Sequence, residues 1–121
     1  MDSGRLTGMA LMELPVRTRG VCCDLAVEID KTKLGETVEL LKALADPTRL
    51  AMVAILRRQD GAVCVCDLTA AFDLSQPTIS HHMGILKRAG VVESVKDRIW
   101  IHYRLRSHLS PGVTRALQGL D

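Results

Sequence analysis

Aromatic side chains are nearly missing from this chain, which has one Trp, one Tyr and one Phe in 121 residues. A core must therefore be built from Leu, Val, Ile, Ala and Met, and a chain of this length supports one domain with one modest core. Small domains of this kind often complete such a core by pairing with a second copy. Also lacking is any apolar run near the roughly 20 residues that a membrane-spanning helix needs. The start, Met1 to Leu14, carries Asp2 and Arg5 and only a short apolar patch, Met9 to Met12. It has neither the apolar stretch nor the small-residue cleavage site of a secretory signal. The expectation is a cytoplasmic protein with no membrane partner. No Cys-x-x-Cys on a βαβ pattern, no glycine-rich nucleotide loop and no acid–base pair in a cleft-forming setting is found. An enzyme is not expected. Internal repeats and low-complexity tracts are absent as well.

Charge is present but unevenly spread. The net charge is only +2. Residues 75–106 nevertheless hold Lys87, Arg88, Lys96, Arg98, Arg104 and Arg106 against Glu93 and Asp97. This local excess is larger than that of the whole chain. It suits either contact with phosphates or an ordinary solvated face.

The chain reads as two parts. Residues 1–35 look like an arm, because Gly4, Gly8, Pro15, Gly20 and Gly35 interrupt any long helix. From Glu36 onward Val38, Leu41, Leu44 and Ala45 recur at helical spacing. Asp46 then caps a second helix with Pro47 in its first turn, and Gly61 stops it. A third, short helix is read from about Cys66 to Phe72, with Asp73-Leu74 as the turn. Ser75 caps a fourth helix that ends at Gly90. Val91 to Val95 and Arg98 to Leu105 read as strands around a Lys96-Asp97 turn. Ile99, Ile101 and Tyr103 fall on one face, with Trp100 and His102 on the other. A last helix begins near Ser110-Pro111. The fold class is mainly α with a β-hairpin wing, and residues 36–121 form its domain.

Two short helices joined by a tight turn, the second opening with small polar residues, suggest a helix-turn-helix. Gln76, Thr78, Ser80 and His81 cluster near the N-terminus of the second helix, where a recognition helix reaches base edges. Gln can pair with adenine, and Ser or Thr can bond bases or phosphates. Lys87, Arg88, Lys96 and Arg98 could add salt-dependent backbone contacts. The same pattern also fits an ordinary Ser-capped amphipathic helix.

Three segments narrow the choice. Leu44-Ala45-Asp46-Pro47-Thr48-Arg49-Leu50, Cys64-Val65-Cys66-Asp67-Leu68 and Leu74-Ser75-Gln76-Pro77-Thr78-Ile79-Ser80-His81-His82 together resemble the ArsR/SmtB family of metal-responsive repressors. Trp100-Ile101-His102-Tyr103-Arg104-Leu105 is similar to that family's second wing strand. The resemblance covers about residues 36–120. It implies a winged helix-turn-helix homodimer, paired through its first and last helices, that binds operator DNA and releases it when metal binds. Two departures stand out. Met83-Gly84 occupies the place of the usual Leu-Lys, and Arg98-Ile99 replaces the usual Gly-Arg at the wing tip.

All four cysteines fall in two pairs, Cys22-Cys23 in the arm and Cys64-Val65-Cys66 before the helix-turn-helix. In a cytosolic chain they suit ligand or redox roles better than disulfides. Thiolates select soft ions. Residues two apart in an ideal helix point about 200° apart, so Cys64 and Cys66 can grip one ion only if Cys64 lies at or before the helix start, or if the first turn deforms. Deforming that turn would shift the DNA-reading helix. With the resemblance in hand, Cys22, Cys23, Cys64 and Cys66 are the expected metal ligands. As(III) or Sb(III) is the expected inducer, because the adjacent Cys22-Cys23 resembles arsenite sensors with an arm-borne cysteine pair. Cd(II) or Pb(II) is the alternative, and thiol-redox sensing a further one. The family's zinc site in the last helix is not expected, because Arg106-Ser107-His108-Leu109 is followed by no further His or Glu. His108 is read as a surface residue.

Overall fold

Side-chain capping sets the element boundaries in the computed structural model, which describes residues 27–121. Asp30 accepts hydrogen bonds from the amides of Thr32 and Lys33 and starts α1, Lys31–Leu44. Asp46 accepts from the Arg49 amide at 2.9 Å and starts α2, Pro47–Arg57, with Pro47 in the first turn. Each cap satisfies an amide that a helix N-terminus otherwise leaves without a partner. Next come β1, Val63–Cys64, and α3, Val65–Phe72. Ser75 caps α4, Gln76–Arg88, and Gly90, at φ 80°, ends the turn that follows it. The strands β2, Val92–Asp97, and β3, Trp100–Leu105, then form a hairpin. Ser110 caps α5, Pro111–Gln118.

Three details differ from the sequence reading. First, α1 begins at Lys31, so Gly35 lies inside a helix instead of breaking one. The Asp30 cap offsets the weak helix preference of one early glycine. Second, the hairpin turns at Arg98-Ile99, because Asp97 pairs with Trp100. Lys96 and Asp97 belong to β2. Arg98 adopts the left-handed conformation at φ 61°, as the first central residue of a two-residue hairpin turn can require. Third, β1 adds an edge strand and makes a three-stranded antiparallel sheet in the order β1-β3-β2. Two residues are too short a run to show alternation.

The core follows from the shortage of aromatics. Met52, Val53 and Leu56 of α2, Val65 and Leu68 of α3, and Ile79, Met83 and Leu86 of α4 are buried. Val91, Val92, Tyr103, Val113 and Leu117 close it from the sheet and α5. Tyr103 is the aromatic residue in the buried set; Phe72 packs against its edge and Trp100 stays exposed. Among the described residues no helix is long and apolar enough to cross a membrane.

The hydrogen bond from the Arg49 amide holds the Asp46 carboxyl below its ordinary value of 3.8. A lowered folded-state value means that the ionised cap stabilises the fold above the ordinary carboxylate range, and that this contribution is lost as pH falls through the lowered value. Asn caps helices well without titrating. Asp46→Asn is therefore expected to stay folded at neutral pH and to lose part of the acid-side fall in urea midpoint seen with the parent chain. Identical pH profiles for the two proteins between pH 2 and 5 would contradict this role.

Candidate functional site

The amphipathic pattern of α4 turns Ile79, Met83 and Leu86 into the core. Gln76, Ser80, His81, Lys87 and Arg88 are all exposed, with His81 and Arg88 opposite the core and Gln76, Ser80 and Lys87 on its flank. Gln76, Ser80, Gly84 and Lys87 recur at helical spacing, so they form one outer stripe along that flank. Gly84 stands near its middle, and a Cβ there would meet only the Arg88 Nη1 atom at 3.4 Å. Thr78, expected beside these residues, is half-buried. Its hydroxyl lies 2.8 Å from the Ser75 hydroxyl and its amide donates to Ser75 Oγ at 3.3 Å. Thr78 thus belongs to the cap more than to the outer stripe.

The hairpin is tied to this helix. Lys87 Nζ donates to Ser94 Oγ of β2 at 2.9 Å, linking the C-terminal turn of α4 to the wing. Arg104 of β3 pairs with Glu93 of β2 across the ladder. Lys96 and Arg98 are exposed toward the tip. Lys87 and Arg88 of α4 and Lys96 and Arg98 of the wing thus lie on two elements joined by this hydrogen bond, while Arg104 is spent on Glu93.

The second cluster is the thiol pair. Cys64 is the N-cap of α3, with its Sγ accepting from the Cys66 amide at 3.5 Å. It thereby meets the first of the two geometric conditions for a joint grip. The Cys66 thiol donates to Cys64 Sγ at 2.8 Å. Cys64 is half-buried and Cys66 exposed. The hydrogen bond to the Cys64 sulfur, with desolvation as a smaller cause, pushes the Cys66 thiol above its ordinary range. Two soft donors thus share one side of the α3 start. Among the described residues no group of three His, Cys, Asp or Glu side chains is arranged to hold a metal ion. Cys22 and Cys23 lie outside the described residues.

Two residues were not singled out as site residues from sequence. Arg49 donates through Nε to the Ala43 carbonyl at 2.7 Å and through Nη2 to the Lys42 carbonyl at 3.4 Å. Its Nη1 lies 3.3 Å from His82 Nδ1. Arg49 therefore joins the end of α1 to α4, and His82 faces inward while its neighbour His81 faces out. The signal was a lone Arg in a polar helix start, which burial alone distinguishes. His102 is half-buried, pairs with Cys64 across the β1–β3 ladder, and keeps a buried Nδ1 with no hydrogen-bond partner. His108 is exposed, as expected.

Two outcomes are expected. Gly84→Ala should raise folding stability by about 1 kcal/mol, the helix preference of Ala over Gly, because the outer stripe has room for the methyl group. An unchanged or lower urea midpoint would contradict that geometry. Alkylation of Cys66 by iodoacetamide, followed by peptide mass spectrometry, should reach half its maximal rate above the ordinary thiol range. Cys64→Ala, which leaves no acceptor at that place, should move that midpoint down. No movement would show that the Cys64 sulfur does not control the Cys66 proton.

Comparisons with known proteins bear on both clusters. The model of the family described as "Bacterial regulatory protein, arsR family" matches residues 46–94, from the Asp46 cap into β2. The chain is similar to the arsenical resistance operon repressor of Escherichia coli K12, with 46% identity over 72 residues. That match covers 60% of this chain and 61% of the relative, so the chain spans about three fifths of that protein's length. It is 36% identical to the arsenic resistance transcriptional regulator ArsR2 of Pseudomonas putida, over 66% of this chain and 69% of that one. Among solved structures, HlyU from Vibrio cholerae superposes with a TM-score of 0.61 at 30% identity, covering 75% of this chain and 94% of that chain. With a helix-turn-helix, a hairpin wing, a family match from the Asp46 cap into β2 and a relative 36% identical over 69% of its length, the chain belongs to the arsR family of bacterial regulatory proteins, a family of regulators and not of enzymes.

Proposed function

We propose that this chain is a metalloid-responsive transcriptional repressor, which holds operator DNA as a homodimer and releases it when As(III) or Sb(III) is captured by cysteine thiolates. The observation that carries the reading is the thiol pair, with Sγ atoms 2.8 Å apart at the start of α3, in a chain 46% identical to an arsenical resistance operon repressor.

On this reading Gln76, Ser80 and His81 meet base edges in the major groove, with Thr78 at the cap. Lys87, Arg88, Lys96 and Arg98 supply phosphate contacts, whose strength falls with salt. Dimerisation is supported by an uncovered apolar face. Leu34, Val38 and Leu41 recur along one side of α1 and are 49%, 38% and 60% exposed, and Leu120 beyond α5 is 43% exposed. A second copy would bury such a stripe on the first and last helices.

Cys64 and Cys66 provide two soft donors, and As(III) takes three. The third would come from Cys22 or Cys23, within one chain or across the dimer. Arsenite would enter as As(OH)3 and exchange its hydroxyls for thiol sulfurs, each thiol proton leaving with a hydroxyl as water, whereas Cd(II) or Pb(II) would release the thiol protons and bind more tightly as pH rises. An ion held by both sulfurs would pull on Cys64 Sγ, the atom that also caps the Cys66 amide. Cys64 belongs to the β1–β3 ladder as well. Movement at this one residue therefore reaches both the helix-turn-helix and the wing.

A gel-shift assay with a duplex selected from a random pool tests the reading. Binding should weaken steeply with salt and be lost on adding arsenite. Cys64→Ser and Cys66→Ser should each abolish release, and loss of both Cys22 and Cys23 should do the same. Binding unchanged at saturating arsenite would overturn the inducer. Release by cadmium or lead, but not arsenite, would support the alternative ions. Release by mild peroxide alone would point to redox sensing.

A further inference from the structure

We infer that Ile99 at the wing tip is an apolar wedge that enters the minor groove and bends the duplex read by α4. The inference rests on the DNA-binding reading above and adds to it a named side chain and a deformation of the DNA.

Ile99 is 81% exposed, more than any other large hydrophobic residue of the described chain, and its neighbour Trp100 is 49% exposed. The uncovered residues of α1 and α5 have a ready explanation in pairing between copies. Ile99 and Trp100 have none there, because they sit at the end of the β2–β3 hairpin. Charge indicates what covers them. Lys96 and Arg98 are exposed on the same tip with one carboxylate, Asp97, between them, so the tip keeps a net positive charge that suits a polyanion better than an apolar protein surface.

The backbone of the tip supports the same occupant. Arg98 is held at φ 61°, a conformation uncommon for residues other than Gly, Asn and Asp. Glycine would make the turn at no steric cost. An Arg there keeps a positive charge directly beside Ile99 where the chain reverses. The arrangement is also anchored, because Lys87 of α4 bonds Ser94 of β2. The wing is thus fixed relative to the helix assigned to the major groove. Ile99 lies five residues beyond the Ser94 anchor, a reach of at most about 17 Å, comparable with the half turn of about 17 Å between neighbouring grooves. Proteins that bind the minor groove commonly insert a single Ile, Leu, Met, Phe or Pro between base steps and kink the duplex. Ile99 has the size and position for this, with Arg98 and Lys96 placed at the flanking phosphates.

The test uses the full chain and a duplex of about 30 base pairs that it selects from a random pool. Both ends carry fluorophores, so that energy transfer reports bending. The single Trp of the sequence lies beside the wedge and serves as an internal reporter of tip docking. The parent chain should bring the duplex ends together and show quenched Trp100 emission. Ile99→Asn should weaken binding about tenfold, the effect of losing one good groove contact, and leave the duplex nearly straight. Its salt dependence and its dimeric state should not change. Arg98→Ala should keep the bend but reduce the salt slope by about one. An Ile99→Asn protein that binds and bends the duplex like the parent would overturn the wedge. So would one that fails to dimerise, since the tip would then be packing on protein. If the parent chain selects no duplex at all, the DNA-binding reading fails first and the wedge with it.

Discussion

Cys64 occupies two structural roles at once. Its sulfur caps the first turn of α3, accepting from the Cys66 amide. Its backbone closes the β1–β3 ladder opposite His102. Most residues that start a helix are replaceable, because a cap needs only an oxygen or sulfur acceptor in the right place. Here the acceptor is also one half of a dithiol, with the other half two residues on. The exposed thiol chemistry and the placement of α3 are therefore not independent, and neither is independent of the sheet that carries the wing.

What makes such a local event matter is how rigidly the rest is joined. Ile79, Met83 and Leu86 pack α4 into the common core. Arg49 bonds carbonyls at the end of α1 and meets His82 of α4. Lys87 bonds Ser94 and fixes the other end of α4 to β2. Packed interiors respond to displacement by switching between arrangements, not by stretching. Asp73, in a left-handed conformation at φ 53°, ends α3 and leads through Leu74 directly into the Ser75 cap of α4.

Much of this was legible in the sequence because it depends on short-range chemistry. The caps Asp46 and Ser75, the stop at Gly90 and the buried stripe of α4 each follow from local residue preference. The misread features have other causes. Residue preference alone puts the hairpin turn at Lys96-Asp97, between two β-rich runs, whereas pairing with β3 puts it two residues later. The two-residue strand β1 exists only because β3 lies beside it, and nothing within Val63-Cys64 announces it. The Arg49–His82 contact joins residues 33 apart, which no periodicity reveals. The dithiol was visible as a pair, yet only the fold shows that Cys64 sits at the cap, where both sulfurs fall on one side. Cys22 and Cys23 remain part of the proposal and lie outside the described residues.

On the proposed reading, the energetics of release follow from linkage. A ligand displaces an equilibrium only by its differential affinity for the two states. Two thiols already 2.8 Å apart would favour ion capture equally in both states if the start of α3 were the same with and without DNA. Coupling must therefore lie in what changes, namely the cap that Cys64 gives to the Cys66 amide and the ladder it shares with His102. If a bound duplex holds α4 and the wing in place, it also holds that cap, and capture must work against it. By reciprocity, DNA then lowers the affinity for the ion by the same factor by which the ion lowers the affinity for DNA. A coupling of about 3 kcal/mol, roughly a 150-fold effect, is of the size that loss of one cap together with a few phosphate contacts can supply. The protein needs no large rearrangement to act as a switch of this kind, provided that the residue that grips the ion is also the residue that positions the reading head.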